Sequence, residues 1–128
     1  IEQLGAANLI NTPKEYFDKV KNEYEERRNL VYNKLSKIDG VVCEKPNGAF
    51  YIIAKLPIKS SDDFAKWMLT DFTHNNATVM VAPASGFYAT DGLGEDEIRI
   101  SYCLNTEDLS NAMDILSLAL NKYLEKEI

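Results

Sequence analysis

The helical pattern over residues 12–40 constrains the fold most. Phe17, Val20, Tyr24, Val31, Leu35 and Ile38 recur at three- and four-residue steps, with Arg27 and Arg28 filling the one gap. That period puts one apolar stripe on a long helix, and such a helix is held mainly by whatever its stripe packs on. Its start is marked: Thr12 is placed to cap, Pro13 suits the first helical position, and Glu15 completes a capping box. Gly40 suits a left-handed stop.

Two further stripes need the same cover. Phe64, Trp67, Met68 and Phe72 follow Ser60 and Ser61, where Asp62 and Asp63 favour the positive end of a helix dipole; Asn75-Asn76 closes that helix. Leu109, Ala112, Leu116, Leu120, Tyr123 and Leu124 follow a capping run of Asn105, Thr106, Glu107 and Asp108. Between the helices lie β-rich runs at 41–44, 49–55, 78–82 and 97–103. The first two are joined by turn chemistry in Lys45-Pro46-Asn47-Gly48, where Asn-Gly permits positive dihedrals. The order α-β-β-α-β-β-α predicts an α+β fold, a two-layer sandwich of helices on one sheet of three or four strands. Residues 12–128 suit one domain. Residues 1–11, small and apolar, read as the remnant of a helix or linker to an upstream domain, partly disordered when cut from it.

Composition narrows the function. A formal net charge of −6 argues against nucleic acid, whose binding rests on clustered Lys and Arg. No apolar run is long enough to span a bilayer. Cys43 and Cys103 fall in strand-like runs and read as reduced thiols, with a cytoplasmic expectation. His74 reads as the C-terminal residue of a helix, and one histidine with two cysteines makes no nucleophile–base set or metal site. The pairs Asp62-Asp63 and Glu107-Asp108 are caps. Lys55, Lys59 and Lys66 read as surface residues. Gly92-Leu93-Gly94 runs into acids that would repel a phosphate.

One residue carries a chemical signal. Strict alternation over 97–103 puts Ile98, Ile100 and Tyr102 on one face and Arg99, Ser101 and Cys103 on the other. Arg99 stays charged and offers a planar fork that matches a carboxylate. It follows a long glycine-bearing loop at 83–96, and loops of that length are often functional. Arg99 is therefore either an anion clamp or an edge-strand arginine lying over solvent.

A resemblance bears on that choice. Pro46-Asn47-Gly48-Ala49-Phe50-Tyr51 resembles the P-x-G-A-F-Y motif of class I/II, fold-type I pyridoxal-phosphate aminotransferases. Val81-Ala82-Pro83-Ala84-Ser85-Gly86-Phe87 is similar to their V-x-P-G-x-x-F segment. Ile98-Arg99-Ile100-Ser101-Tyr102 is similar to their R-[IL]-S-[YF] strand, and Arg27-Arg28 to their Y-x-x-R-R-D helix. The four segments stand in family order over nearly the whole chain, nearest to the bacterial aspartate aminotransferases with an A-P-A-[AS]-G-F-Y loop. Ala84 departs from a common glycine and Asn29 from a common aspartate.

The resemblance implies the small C-terminal domain of such an enzyme. Arg99 then matches the arginine that holds the substrate α-carboxylate, Phe50 the aromatic lining the substrate side, and Gly48 a position that lets the chain approach. No S-K-x-x-x-x-x-G-x-R segment is present to supply the Schiff-base lysine. Pyridoxal 5'-phosphate is thus expected in a full-length parent and not on these residues alone, which are expected to be inactive by themselves. The implied partners are an amino acid, a 2-oxo acid, the large domain of the same chain and a second subunit. The alternatives are another fold-type I enzyme, such as a C–S lyase or an aminocyclopropane-carboxylate-synthase relative, or a free-standing ligand-binding or interaction module.

Overall fold

A computed structural model describes residues 1–126 of the chain. Four helices, α1 (Glu2–Ala7), α2 (Lys14–Leu35), α3 (Ser61–Thr70) and α4 (Thr106–Lys126), accompany four strands, β1 (Val42–Cys43), β2 (Tyr51–Lys55), β3 (Ala82–Pro83) and β4 (Glu97–Ser101). The strands form one antiparallel sheet in the order β1-β2-β4-β3. β2 and β4 are the centre of the sheet and pair along their full length, Tyr51 with Ser101 through Lys55 with Glu97. Arg99 therefore lies on an interior strand and not on an edge.

Period-two burial separates the faces of the sheet. Ile52 and Ala54 of β2 and Ile98 and Ile100 of β4 are buried, and their neighbours Tyr51, Ile53, Lys55, Arg99 and Ser101 point away from that core. The helices supply the rest of the core: Val31 and Leu35 from α2, Phe64 and Met68 from α3, and Leu109, Met113, Leu116 and Leu120 from α4. Each such side chain contributes roughly 1.5–3 kcal/mol on burial. The result is the expected two-layer α+β sandwich. Among the described residues no helix is long and apolar enough to cross a membrane.

Several local expectations are corrected. The cap of α2 moves on by one residue: the helix begins at Lys14, Pro13 is its N-cap, and Thr12 makes no capping bond. Pro13 carries ψ 143, because its fixed ring favours the extended entry as well as the first turn. The apolar stripe of α2 is covered only in its second half; Phe17 stays 53% exposed. Length explains this, since 22 residues of helix reach about 33 Å, whereas a five-residue strand covers about 17 Å. Gly40 does take the left-handed conformation, φ 78, but five residues past the end of the helix, where an added Cβ would sit 2.9 Å from the ring of Pro57.

The helix α3 stops at Thr70, and His74 lies beyond it. There Asn75 and Asn76 both take positive φ, and His74 and Ala77 exchange backbone hydrogen bonds at 2.9 Å across them. This is a two-residue hairpin turn, the geometry that asparagine tolerates best after glycine, and not a helix terminus. The strand expected at 78–82 shrinks to Ala82–Pro83. In the 45–48 turn the positive φ falls on Ala49, at 62, and not on Asn47 or Gly48. Residues 1–11, read as the remnant of a helix or linker, form α1 and a 3-10 turn over Asn8–Asn11, exposed along their whole length.

Candidate functional site

The outward face of β2 and β4 carries the one arginine that has no polar partner among the described residues. Arg27 donates to the carbonyl of Cys103 at 2.7 Å and to Glu23, and Arg28 donates to the carbonyl of Pro46 and to Glu25. Arg99 makes no hydrogen bond or ion pair among the described residues. Its surroundings are aromatic: its Cζ lies 4.3 Å from the ring centroid of Phe87 and 5.3 Å from that of Tyr51. It is a half-buried guanidinium that no acid among the described residues engages.

The sheet register produces half of this arrangement. Arg99 stands opposite Ile53, so Tyr51 lies diagonally across on the same face. Phe50 then extends the row, edge-to-face on Tyr51 at 5.8 Å and 54% exposed. The other half comes from the 83–96 loop. Ala84 donates to the carbonyl of Glu97 at 2.9 Å and continues the pairing of β3, and a 3-10 turn over Ser85–Phe87 carries the Phe87 ring over the sheet. Tyr88 anchors the far side of that turn by donating to a Glu97 carboxylate oxygen. That bond holds the phenol above its ordinary pKa. Gly94, at φ 74, leaves the space that the Tyr88 ring occupies.

Sequence reasoning placed Arg99 on a strand and Phe50 in the strand expected at 49–55, whereas Phe50 lies one residue before β2; it named neither Phe87 nor Tyr51 as a neighbour of Arg99. Tyr51 was within reach of the alternation rule once β2 and β4 were paired. Phe87 is twelve positions upstream of Arg99, and only the path of the loop joins them. Gly48 lies elsewhere. It lines a cleft of about 310 Å³ with Tyr24, Arg28, Asn47 and Tyr102, below the turn and against α2. A Cβ at Gly48 would meet nothing within 4 Å, so packing within the chain does not require glycine there.

The remaining chemistry of the face is limited. Lys55 is bound to Asp96 at 2.8 Å. That hydrogen bond raises its pKa, so its amine stays protonated and is a poor nucleophile. Lys34 and Lys14 are likewise held by Asp114 and Asp18. The Cys43 thiol is pushed up by burial. No cluster of His, Cys, Asp and Glu among the described residues could hold a metal ion. The arrangement can do one thing well: present an unpaired, aromatic-flanked fork to an anion approaching the open face of the sheet.

Comparison with known proteins gives a consistent answer. The sequence profile of the family "Aminotransferase class I and II" matches residues 2–116. An aspartate aminotransferase from Pyrococcus horikoshii is 34% identical over 105 residues, 80% of this chain and 25% of that protein. The alanine aminotransferase structure from Pyrococcus furiosus superposes with a TM-score of 0.77 at 29% identity, covering 94% of this chain and 29% of that one. LysN, an α-aminoadipate aminotransferase from Thermus thermophilus solved with N-(5'-phosphopyridoxyl)-L-leucine, gives 0.76 at 25% identity over 91% of this chain and 29% of its own. The chain thus spans between a quarter and a third of the length of these relatives.

Proposed function

The chain belongs to the class I and II aminotransferase family, and on that premise we propose that it is the part of a pyridoxal-phosphate transaminase that grips the substrate. Residues 12–128 serve as its small domain and 1–11 as the link to the remainder. The observation that carries this reading is the state of Arg99: half-buried, ring-flanked and without an acid partner among the described residues. A guanidinium left unpaired inside a protein costs free energy unless a ligand completes it, and the ligand matching its fork is a carboxylate.

The residues on this face fit a substrate carboxylate and do not, by themselves, fit the cofactor. A pyridoxal-phosphate site needs an unprotonated lysine, an acid toward the ring nitrogen and donors around a phosphate. The nearest lysine on the sheet, Lys55, is held protonated by Asp96. When bound elsewhere in the full-length enzyme, the cofactor supplies the electron sink for the substrate carbanion. What this chain adds is binding and orientation. Two in-plane N–H groups of Arg99 hold both oxygens of the α-carboxylate, which fixes the rotation of the amino acid about its Cα. Phe50, Tyr51 and Phe87 cover the contact from water and lower the local dielectric around it. Phe50 faces the side chain of the substrate, and Gly48 leaves the 46–49 turn narrow.

The reaction assigned to the parent is amino transfer from an L-amino acid to a 2-oxo acid. Aspartate is the donor, after the relative at 34% identity. Arg99→Lys in the full-length enzyme tests the clamp, because lysine keeps the charge and loses the fork. We expect kcat/KM for aspartate with 2-oxoglutarate to fall at least about tenfold, the value of a charge-assisted hydrogen bond. Unchanged turnover would remove Arg99 from the site. Release of thiol from cystathionine in place of amino transfer would assign the parent to a lyase instead.

A further inference from the structure

We propose that Phe87 is the positioning residue for Arg99: its ring holds the guanidinium by its face, so that every in-plane N–H is left for the substrate carboxylate. The inference rests on the reading of Arg99 as the carboxylate clamp. A functional arginine must be held still, and the common way is an acid or a carbonyl in the plane of the fork. That solution uses up the donors the substrate needs. Stacking uses the π face alone and leaves the edge free.

The structure supplies both kinds of arginine for comparison. Arg27 and Arg28 also lie mostly out of solvent, but their terminal nitrogens are taken by Glu23, Glu25 and the carbonyls of Cys103 and Pro46, with only the Nε of Arg27 left over. Arg27 is also stacked, at 5.1 Å on Tyr24, and still has acceptors in its plane. Arg99 has the closest ring contact of the three arginines, 4.3 Å to Phe87, and no acceptor among the described residues.

Phe87 is itself fixed independently of the arginine. Its backbone N–H donates to the carbonyl of Ala84 at 2.9 Å; Ala84 is fully buried and donates to Glu97. The next residue, Tyr88, is bonded to the side chain of Glu97 and seated against Gly94. The ring is thus tied at both ends to the strand that carries Arg99, two residues away from it. Its 55% exposure shows that core packing is not what fixes it in place. Tyr51, on the neighbouring strand, is a looser contact at 5.3 Å.

The test compares Phe87→Leu, Phe87→Met and Phe87→Tyr in the full-length enzyme, with Arg99→Lys alongside. Leucine and methionine fill the space without a π face, and tyrosine restores one. We expect KM for the amino acid to rise about tenfold in the leucine and methionine variants, the value of a partly desolvated cation–π contact. Tyrosine should return it to near wild type, with kcat changing far less throughout. A purely structural role would lower the amount of folded enzyme and leave KM unmoved. If leucine fails to fold, methionine and tyrosine still decide the question. As a direct signature, the Cδ protons of Arg99 in the full-length enzyme, selectively labelled at arginine, should lie upfield from the Phe87 ring current and return downfield in Phe87→Met. KM unchanged in both apolar variants while Arg99→Lys is impaired overturns the role of Phe87 and leaves the clamp standing. Unchanged kinetics in Arg99→Lys as well overturns the clamp on which it rests.

Discussion

Gly94 shows how a single position controls the loop over the sheet. It takes φ 74, and a Cβ there would sit 2.5 Å from two ring carbons of Tyr88. Gly94→Ala should therefore both strain the backbone, by about 1–2 kcal/mol, and push Tyr88 off Glu97. A lower urea midpoint together with loss of the Tyr88–Glu97 bond, read as a phenol titrating nearer its ordinary range, would confirm it. An unshifted midpoint would mean that the loop absorbs the methyl. Residues of this kind are legible in sequence only as candidates. Arg99 was visible because alternation isolates it from Ile98 and Ile100. Tyr51 required the strand pairing, and Phe87 required the loop path, which no local pattern encodes. The left-handed turn residue was misplaced for a related reason: Asn47-Gly48 offers the conformation, but the chain spends it on Ala49, whose carbonyl accepts from the Tyr102 hydroxyl at 3.1 Å.

At the scale of elements, the helices were readable, and the minor strands expected at 41–44 and 78–82 were readable in existence but not in extent. The stripes of α3 and α4 are buried as their spacing demands, because a 3.6-residue period leaves little choice of face. The two-residue strands β1 and β3 carry no period to read; their existence depends on β2 and β4 being long enough to pair with them. The caps divide in the same way. Ser60 accepts from the backbone N–H of Asp63 at 3.1 Å, a local bond over three residues. Thr12 fails as a cap because Pro13 takes the extended entry itself. Ser60→Ala should cost about 1 kcal/mol, measured by thermal or urea unfolding, and Thr12→Ala should cost close to nothing. Equal losses would show that the entry of α2 is held by Thr12 after all.

At the scale of the whole molecule, titration and shape have consequences that no single element shows. Tyr88 is raised by its bond to Glu97, Tyr102 by burial, and Lys55 by its bond to Asp96. All three folded-state values lie above the unfolded ones, so their contribution is complete below about pH 10. It is lost as pH rises through the folded values. Stability in urea should therefore be flat across neutral pH on account of these groups and fall above about pH 10. Tyr88→Phe should make that alkaline fall shallower, and a fall of unchanged steepness would clear Tyr88 of any part in it. The borders of the sheet carry a different consequence. Each outer strand pairs over two residues only, and one of them, Pro83, has no N–H to offer. A stray extended peptide finds almost no free backbone there to copy. Growth into ordered fibres by strand addition is thereby denied a template at either margin.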